Sequence, residues 1–192
     1  PPPSPTPLPS PTLSRTMCLV TISIIGPLLK QEMGFSPTRL GLVFSAFAYP
    51  YAAMQILGGW FADKYGPRLV LGILSTIWAI ATILCGFSWG LWSLIMFRIL
   101  LGIGEGGAFP AATRSFTYWM PATERGFAQG ITHSFARLGG AVTPPIVLVI
   151  VISYGWRESF MLLGAISLVW TCFFVRFYRN TPRAHTWVKH PA

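Results

Sequence analysis

Five apolar runs, each long enough to cross a bilayer, follow one another with only short polar breaks between them. They cover residues 38–62, 69–87, 91–112, 127–153 and 160–177. A sixth run, 17–29, is shorter than the roughly 20 residues a spanning helix needs. Within the hydrocarbon layer every backbone polar group must be bonded inside the protein, so only helices or closed barrels can span it. These runs are continuously apolar rather than alternating, which selects helices. The expected fold class is therefore an all-α membrane protein, a six-helix transmembrane bundle with a truncated first helix. The rest of the composition agrees: 53% of the 192 residues are hydrophobic and 10% charged, against about 25% charged in a soluble domain.

The domain division follows the same lines. Residues 1–16 hold seven prolines among Ser and Thr, which excludes a helix and predicts a disordered or polyproline-like head. It lacks the charged start and small-residue cleavage site of a signal peptide. Residues 17–180 form the expected bundle, and 181–192 a polar tail.

A net charge of +9 raises the question of nucleic acid. The bases form no stripe with interleaved aromatics and no nucleic-acid motif occurs, so no nucleic-acid partner is expected. They lie instead at the ends of the apolar runs. Lys64, Arg68, Arg114, Arg125, Arg176, Arg179, Arg183 and Lys189 fall on one side, and Lys30, Arg39 and Arg157 on the other. The positive-inside bias then puts both termini in the cytoplasm, in keeping with an even number of crossings. Cys18, Cys85 and Cys172 all lie in apolar runs and read as small buried hydrophobes.

The sharpest break is Gly58-Gly59-Trp60-Phe61-Ala62-Asp63-Lys64-Tyr65-Gly66-Pro67-Arg68. An acid, two bases and three glycines packed between apolar runs predict a tight turn joining two spans. Small residues recur within the spans, at Gly102, Gly104, Gly106 and Gly107 and at Gly139 and Gly140, and small residues let membrane helices approach closely. Pro50, Pro110, Pro144 and Pro145 fall inside spans, where proline kinks a helix.

Arg98 and Glu105 stand inside the fourth span. A charge at the bilayer centre costs about 2.5–3.5 kcal/mol on insertion scales, so such residues mark pathways by default. Seven residues is close to two turns, which puts both on one face, about 10 Å apart along the axis. Gly102 on the same face is expected to open the space between them to a water, a proton or part of an anion. Glu105 reads as a proton-titrating acid, with Arg98 as its charge partner or as a substrate anchor. A pair that neutralises itself and fixes helix packing is the bland alternative. His133 and Arg137, one turn apart in the fifth span, and Tyr51 in the second are candidate substrate contacts. Packing or hydrogen-bonding roles for His133 and Tyr51 are equally open.

The literal G-x-G-x-x-G at 102–107 lies in mid-span with no strand before it, so no dinucleotide cofactor is expected. No metal site is expected either. A six-helix intramembrane protease would need a Gly-x-Ser-Gly nucleophile, and a zinc type His-Glu-x-x-His; neither occurs. The chain is therefore not expected to be an enzyme.

At these residues the sequence resembles the N-terminal half of a major facilitator superfamily transporter. Gly59, Asp63, Gly66 and Arg68 match that superfamily's signature between its second and third helices. Within it the chain is most similar to the anion:cation symporters, through Phe44-Ser45-Ala46-Phe47, residues 98–107 with Phe109-Pro110, residues 137–145, and Tyr178-Arg179-Asn180-Thr181-Pro182. The likeness covers about residues 26–187. It implies multi-pass cell-membrane residence and alternating-access uptake of an organic anion, such as galactonate, glucarate, a hexuronate or a related carboxylate, together with a proton. It further implies a second six-helix half as partner, Glu105 as proton carrier, Arg98 as its partner, Tyr51 as a substrate contact, and Asp63 and Arg68 as charges bracing a gating loop.

Two departures qualify the resemblance. Bacterial members carry an Asp-Arg pair in the first helix, where this sequence has Cys18 and Leu19. A shifted frame or displaced start would account for that and for the proline-rich head. The chain also stops after the sixth span, so the alternative expectation is a non-transporting fragment or a partner-binding half.

Overall fold

The computed structural model describes residues 25–26 and 29–179. The head, Cys18, Leu19, most of the first apolar run and the tail lie outside the described residues. Among the described residues all regular structure is helical. Residues 29–32 end one helical stretch. Six labelled helices follow: α1 (Pro37–Tyr65), α2 (Pro67–Gly86), α3 (Leu91–Gly106), α4 (Ala108–Trp119), α5 (Arg125–Tyr154) and α6 (Trp156–Phe177).

Local chemistry sets the ends. Ser36 caps α1, its hydroxyl accepting from the Arg39 amide at 3.3 Å, and Pro37 opens the first turn, where a missing N–H costs nothing. A single residue, Gly66, separates α1 from α2, and Gly155 does the same between α5 and α6. Their φ angles are +85° and +93°, a backbone region open to glycine and strained for other residues.

The fourth span departs from the sequence reading. Its helix does not stop near residue 112. It bends at Gly107 and continues to Trp119, so α3 and α4 together make one 29-residue span. Pro110 therefore falls in the first turn of α4 rather than in a helix interior. Helices α1 and α5 run unbroken through Pro50 and through Pro144 and Pro145. The expected spans at 38–62, 69–87, 127–153 and 160–177 match α1, α2, α5 and α6 to within a few residues.

Helix α3 lies against α1 and α2, and α2 also lies along α6. Glycines make this possible. A Cβ on Gly102 would sit 2.5 Å from the Phe47 carbonyl oxygen of α1, and one on Gly104 would sit 2.6 Å from the Trp78 nitrogen of α2. Backbone thus meets backbone on two sides of α3. The largest apolar cluster joins Ile25, Leu29, Val43, Cys85, Leu94, Val147, Trp156 and Phe160 across several helices. A second gathers Ala62, Leu71, Leu74, Ala108 and Ala111 around the Gly66 end. Hydroxyls inside the spans turn back on their own helix, as Thr82 does to the Trp78 carbonyl and Ser167 to that of Leu163, which satisfies polar groups where no water is available. By contrast α1 and α5 are mostly exposed. Cys85 is buried as expected, but Cys172 is exposed on α6.

Candidate functional site

Arg98 and Glu105 are the deepest charges of the described chain, 1% and 0% exposed. The Arg98 guanidinium carbon sits 5.6 Å from the centre of the Phe160 ring, which α6 brings alongside α3. Cys85 of α2 lies within electrostatic reach of both charges. Gly102 does not open the space expected of it. The α1 backbone from Phe47 to Tyr51, with the Pro50 ring, fills the volume a side chain would take. The same approach recurs at Gly106, where a Cβ would run into the Tyr51 carbonyl. The 102–107 glycine run is therefore a helix-packing device, covered by α1 and α2. Among the described residues no cluster of His, Cys, Asp and Glu could hold a metal.

The remaining candidates do not converge on one point. Tyr51 is half-buried, its ring stacked on Phe47 at 5.3 Å, and its backbone is the surface against which Gly106 packs. His133 and Arg137 lie exposed on α5. The His133 ring is 4.9 Å from that of Phe109 on α4. The structure thus joins Tyr51 to the helix that carries Arg98 and Glu105, and it leaves His133 and Arg137 on an outer flank.

The charged turn is braced from within. Asp63 pairs with Arg114, midway along α4, 2.7 Å away, and the Arg114 guanidinium also lies over the Tyr118 ring. Arg68 reaches the other way, donating to the Val175 carbonyl near the end of α6 at 2.8 Å. Gly59 sits beside Pro110. Nearby, Tyr178 stacks on Phe174 and Trp119 donates to the Arg179 carbonyl. Burial pushes the Tyr178 phenol up from its ordinary value, against a partial lowering by Ser115 and Trp119.

The opposite end holds a cluster that the sequence reading passed over. The Trp156 indole donates to the Glu32 carboxylate at 2.6 Å, and Arg157 lies 3.7 Å from the same carboxylate. Arg157 also covers the Trp156 ring and donates to the Ser88 carbonyl. The Trp156-Arg157 doublet directly after a lone glycine was the available signal. In sequence, however, Glu32 lies 124 residues from Trp156.

Spans of this length carrying buried charges define an integral membrane protein of helical-bundle type. Comparison with known proteins gives the family: a model of the Major Facilitator Superfamily matches residues 12–191, and the chain belongs to that superfamily. It is 64% identical over 167 residues to a probable sulfoacetate transporter of Cupriavidus necator, covering 87% of this chain and 39% of that protein. It is 34% identical over 162 residues to a hexuronate transporter of Bacillus subtilis, covering 84% of this chain and 38% of that one. To a D-galactonate transporter of Escherichia coli it is 37% identical over 151 residues, covering 79% and 35%. The chain thus spans less than two fifths of the length of each. The fold is that of a crystal structure of a bacterial homologue of the human lysosomal transporter Spinster in an inward-facing conformation. That match has a TM-score of 0.79 at 23% identity and covers 94% of this chain and 43% of the other. The relatives are transporters of sugar acids and other anions, not enzymes.

Proposed function

We propose that this chain forms the N-terminal half of a carrier that moves a small organic anion across the cell membrane together with a proton, by alternating access. The observation that carries the reading is the pair of fully buried charges, Arg98 and Glu105, two turns apart on a helix packed at the centre of the bundle. Burying two ionisable groups in a membrane helix is costly, and such groups mark ion and proton pathways. Glu105 takes up and releases the proton. Arg98 balances its charge and contacts the anionic group of the cargo. Tyr51, on the helix packed against α3, supplies a further contact; His133 and Arg137, exposed on α5, reach the cargo from the face left for the second half; and Asp63 and Arg68 brace the cytoplasmic gating turn. The 64% identical relative makes sulfoacetate the first cargo to test. The 34% and 37% identical relatives keep hexuronates and galactonate as the second.

The test is uptake into proteoliposomes by this chain co-expressed with the C-terminal half of the sulfoacetate relative. Glu105→Gln is expected to abolish accumulation driven by a pH gradient while leaving anion exchange partly intact. Equal pH-driven accumulation by Glu105→Gln and parent would rule out the proton role. Arg98→Ala is expected to impair both modes, and unaltered uptake kinetics would count against its contact with the cargo.

A second reading is a partner-binding half without transport of its own. The broad exposed surfaces of α1 and α5 favour it. In that case the same co-expression yields a complex and no uptake.

A further inference from the structure

Two of the three nitrogens of the buried Arg98 guanidinium, Nε and Nη2, lack hydrogen-bond partners among the described residues. A guanidinium cannot shed its proton to escape the cost. What faces it is an aromatic ring. Phe160 is 0% exposed, with its centre 5.6 Å from the guanidinium carbon, inside the ~6 Å range of cation–π attraction.

That ring is itself held. Trp156, one turn earlier on α6, meets it edge to face, with centroids 6.3 Å apart and planes at 90°. Trp156 is tied in turn by its indole N–H to Glu32 at 2.6 Å and covered by Arg157 at 4.3 Å. An unbroken line of contacts therefore runs from the Glu32 carboxylate, through Trp156 and Phe160, to the buried guanidinium.

The chemistry of the two kinds of partner differs in a way that matters for a binding residue. A carboxylate would hold Arg98 by consuming its N–H donors. A ring face stabilises the charge through its quadrupole and consumes none. We infer that Phe160 is a positioning residue for Arg98. It keeps the guanidinium buried, charged and in one orientation, with Nε–H and Nη2–H left for the carboxylate or sulfonate of the cargo. Trp156 fixes Phe160 in that task. This inference rests on Arg98 as the anion-contacting side chain and adds a helix to the site that none of the sequence candidates lies on.

The experiment is NMR of the chain, labelled at arginine and reconstituted in lipid nanodiscs with the C-terminal half of the sulfoacetate relative, with the Arg98 signal identified by its loss in Arg98→Lys. Protons above a ring face are shifted upfield, so the parent is expected to show an upfield-shifted Arg98 signal. Phe160→Leu should return it to the ordinary range, and Phe160→Tyr, which keeps the ring, should restore the shift. Titration with sulfoacetate and with galactonate follows on the same samples. Binding is expected to weaken on the order of tenfold in Phe160→Leu and to recover in Phe160→Tyr. Phe160→Met, flexible enough to fill the gap and without a ring, replaces the leucine variant if that one does not fold. An anion response that is equal in parent and ringless variants overturns the positioning role alone. No response to either anion in the parent overturns the anion reading of Arg98, and the positioning role with it.

Discussion

At Gly106 the question is what stands where a side chain would be. It is the carbonyl of Tyr51, so α3 and α1 touch through bare backbone. Gly106→Val is expected to push the helices apart and to destabilise the bundle by about 2 kcal/mol, in the range of overpacked cores. Thermal unfolding in detergent measures it. A midpoint equal to the parent's would mean that α3 and α1 are not in backbone contact there. That Arg98 and Glu105 share a face of an apolar span is arithmetic on helical periodicity. That Gly102 between them serves α1 rather than a solute is not, because the residue filling its space lies about 50 positions earlier in the chain. Phe160 was invisible for the same reason: one more aromatic in an apolar run says nothing about which charge it will cover.

Among the elements, the spans were legible from hydropathy because each is a long uninterrupted run. The exception is instructive. Thr113, Arg114, Ser115 and Thr117 make the last turns of the fourth span look like a loop. The helix nevertheless continues, because those polar groups find partners: Arg114 meets Asp63, Ser115 donates to the Ala112 carbonyl and Thr117 to that of Arg114. Helix ends carry another prediction. Arg68 donates to a carbonyl near the C-terminus of α6, where the helix dipole favours a cation. Arg68→Ala is expected to loosen the last turn of α6, at about 1 kcal/mol for one charge-assisted bond on an exposed rim. Amide exchange of residues 175–179 should quicken accordingly. Exchange at the parent's rate would mean that the bond does not secure that turn.

For the molecule as a whole, the family could be read from the turn around Gly66, whose residues are dictated by local geometry and charge. The cargo could not, since the candidate contacts sit on separate helices and the chain spans less than two fifths of its relatives. Helices α1 and α5 leave long apolar faces exposed. Membrane helices associate by close packing rather than by escape from water, and these two helices leave packing surface free. Co-expression with the C-terminal half of the sulfoacetate relative is expected to yield a one-to-one complex that unfolds at a higher temperature than the chain alone. Separate elution of the two pieces from a sizing column would count against it.

The two rims of the bundle bear on how such a molecule can move. At one rim Asp63 and Arg68 reach α4 and α6. At the other, Glu32 and Arg157 join the start of α6 to the residues before α1 and to the turn after α2. Between them α1, α2 and α3 mesh at glycines. A body tied at top and bottom and geared in the middle has little slack to lose when pushed. A displacement applied at Glu32 is therefore expected to reach Gly66 through α1, α2, α3 and α6 as a tilt, the response of a lever rather than a spring.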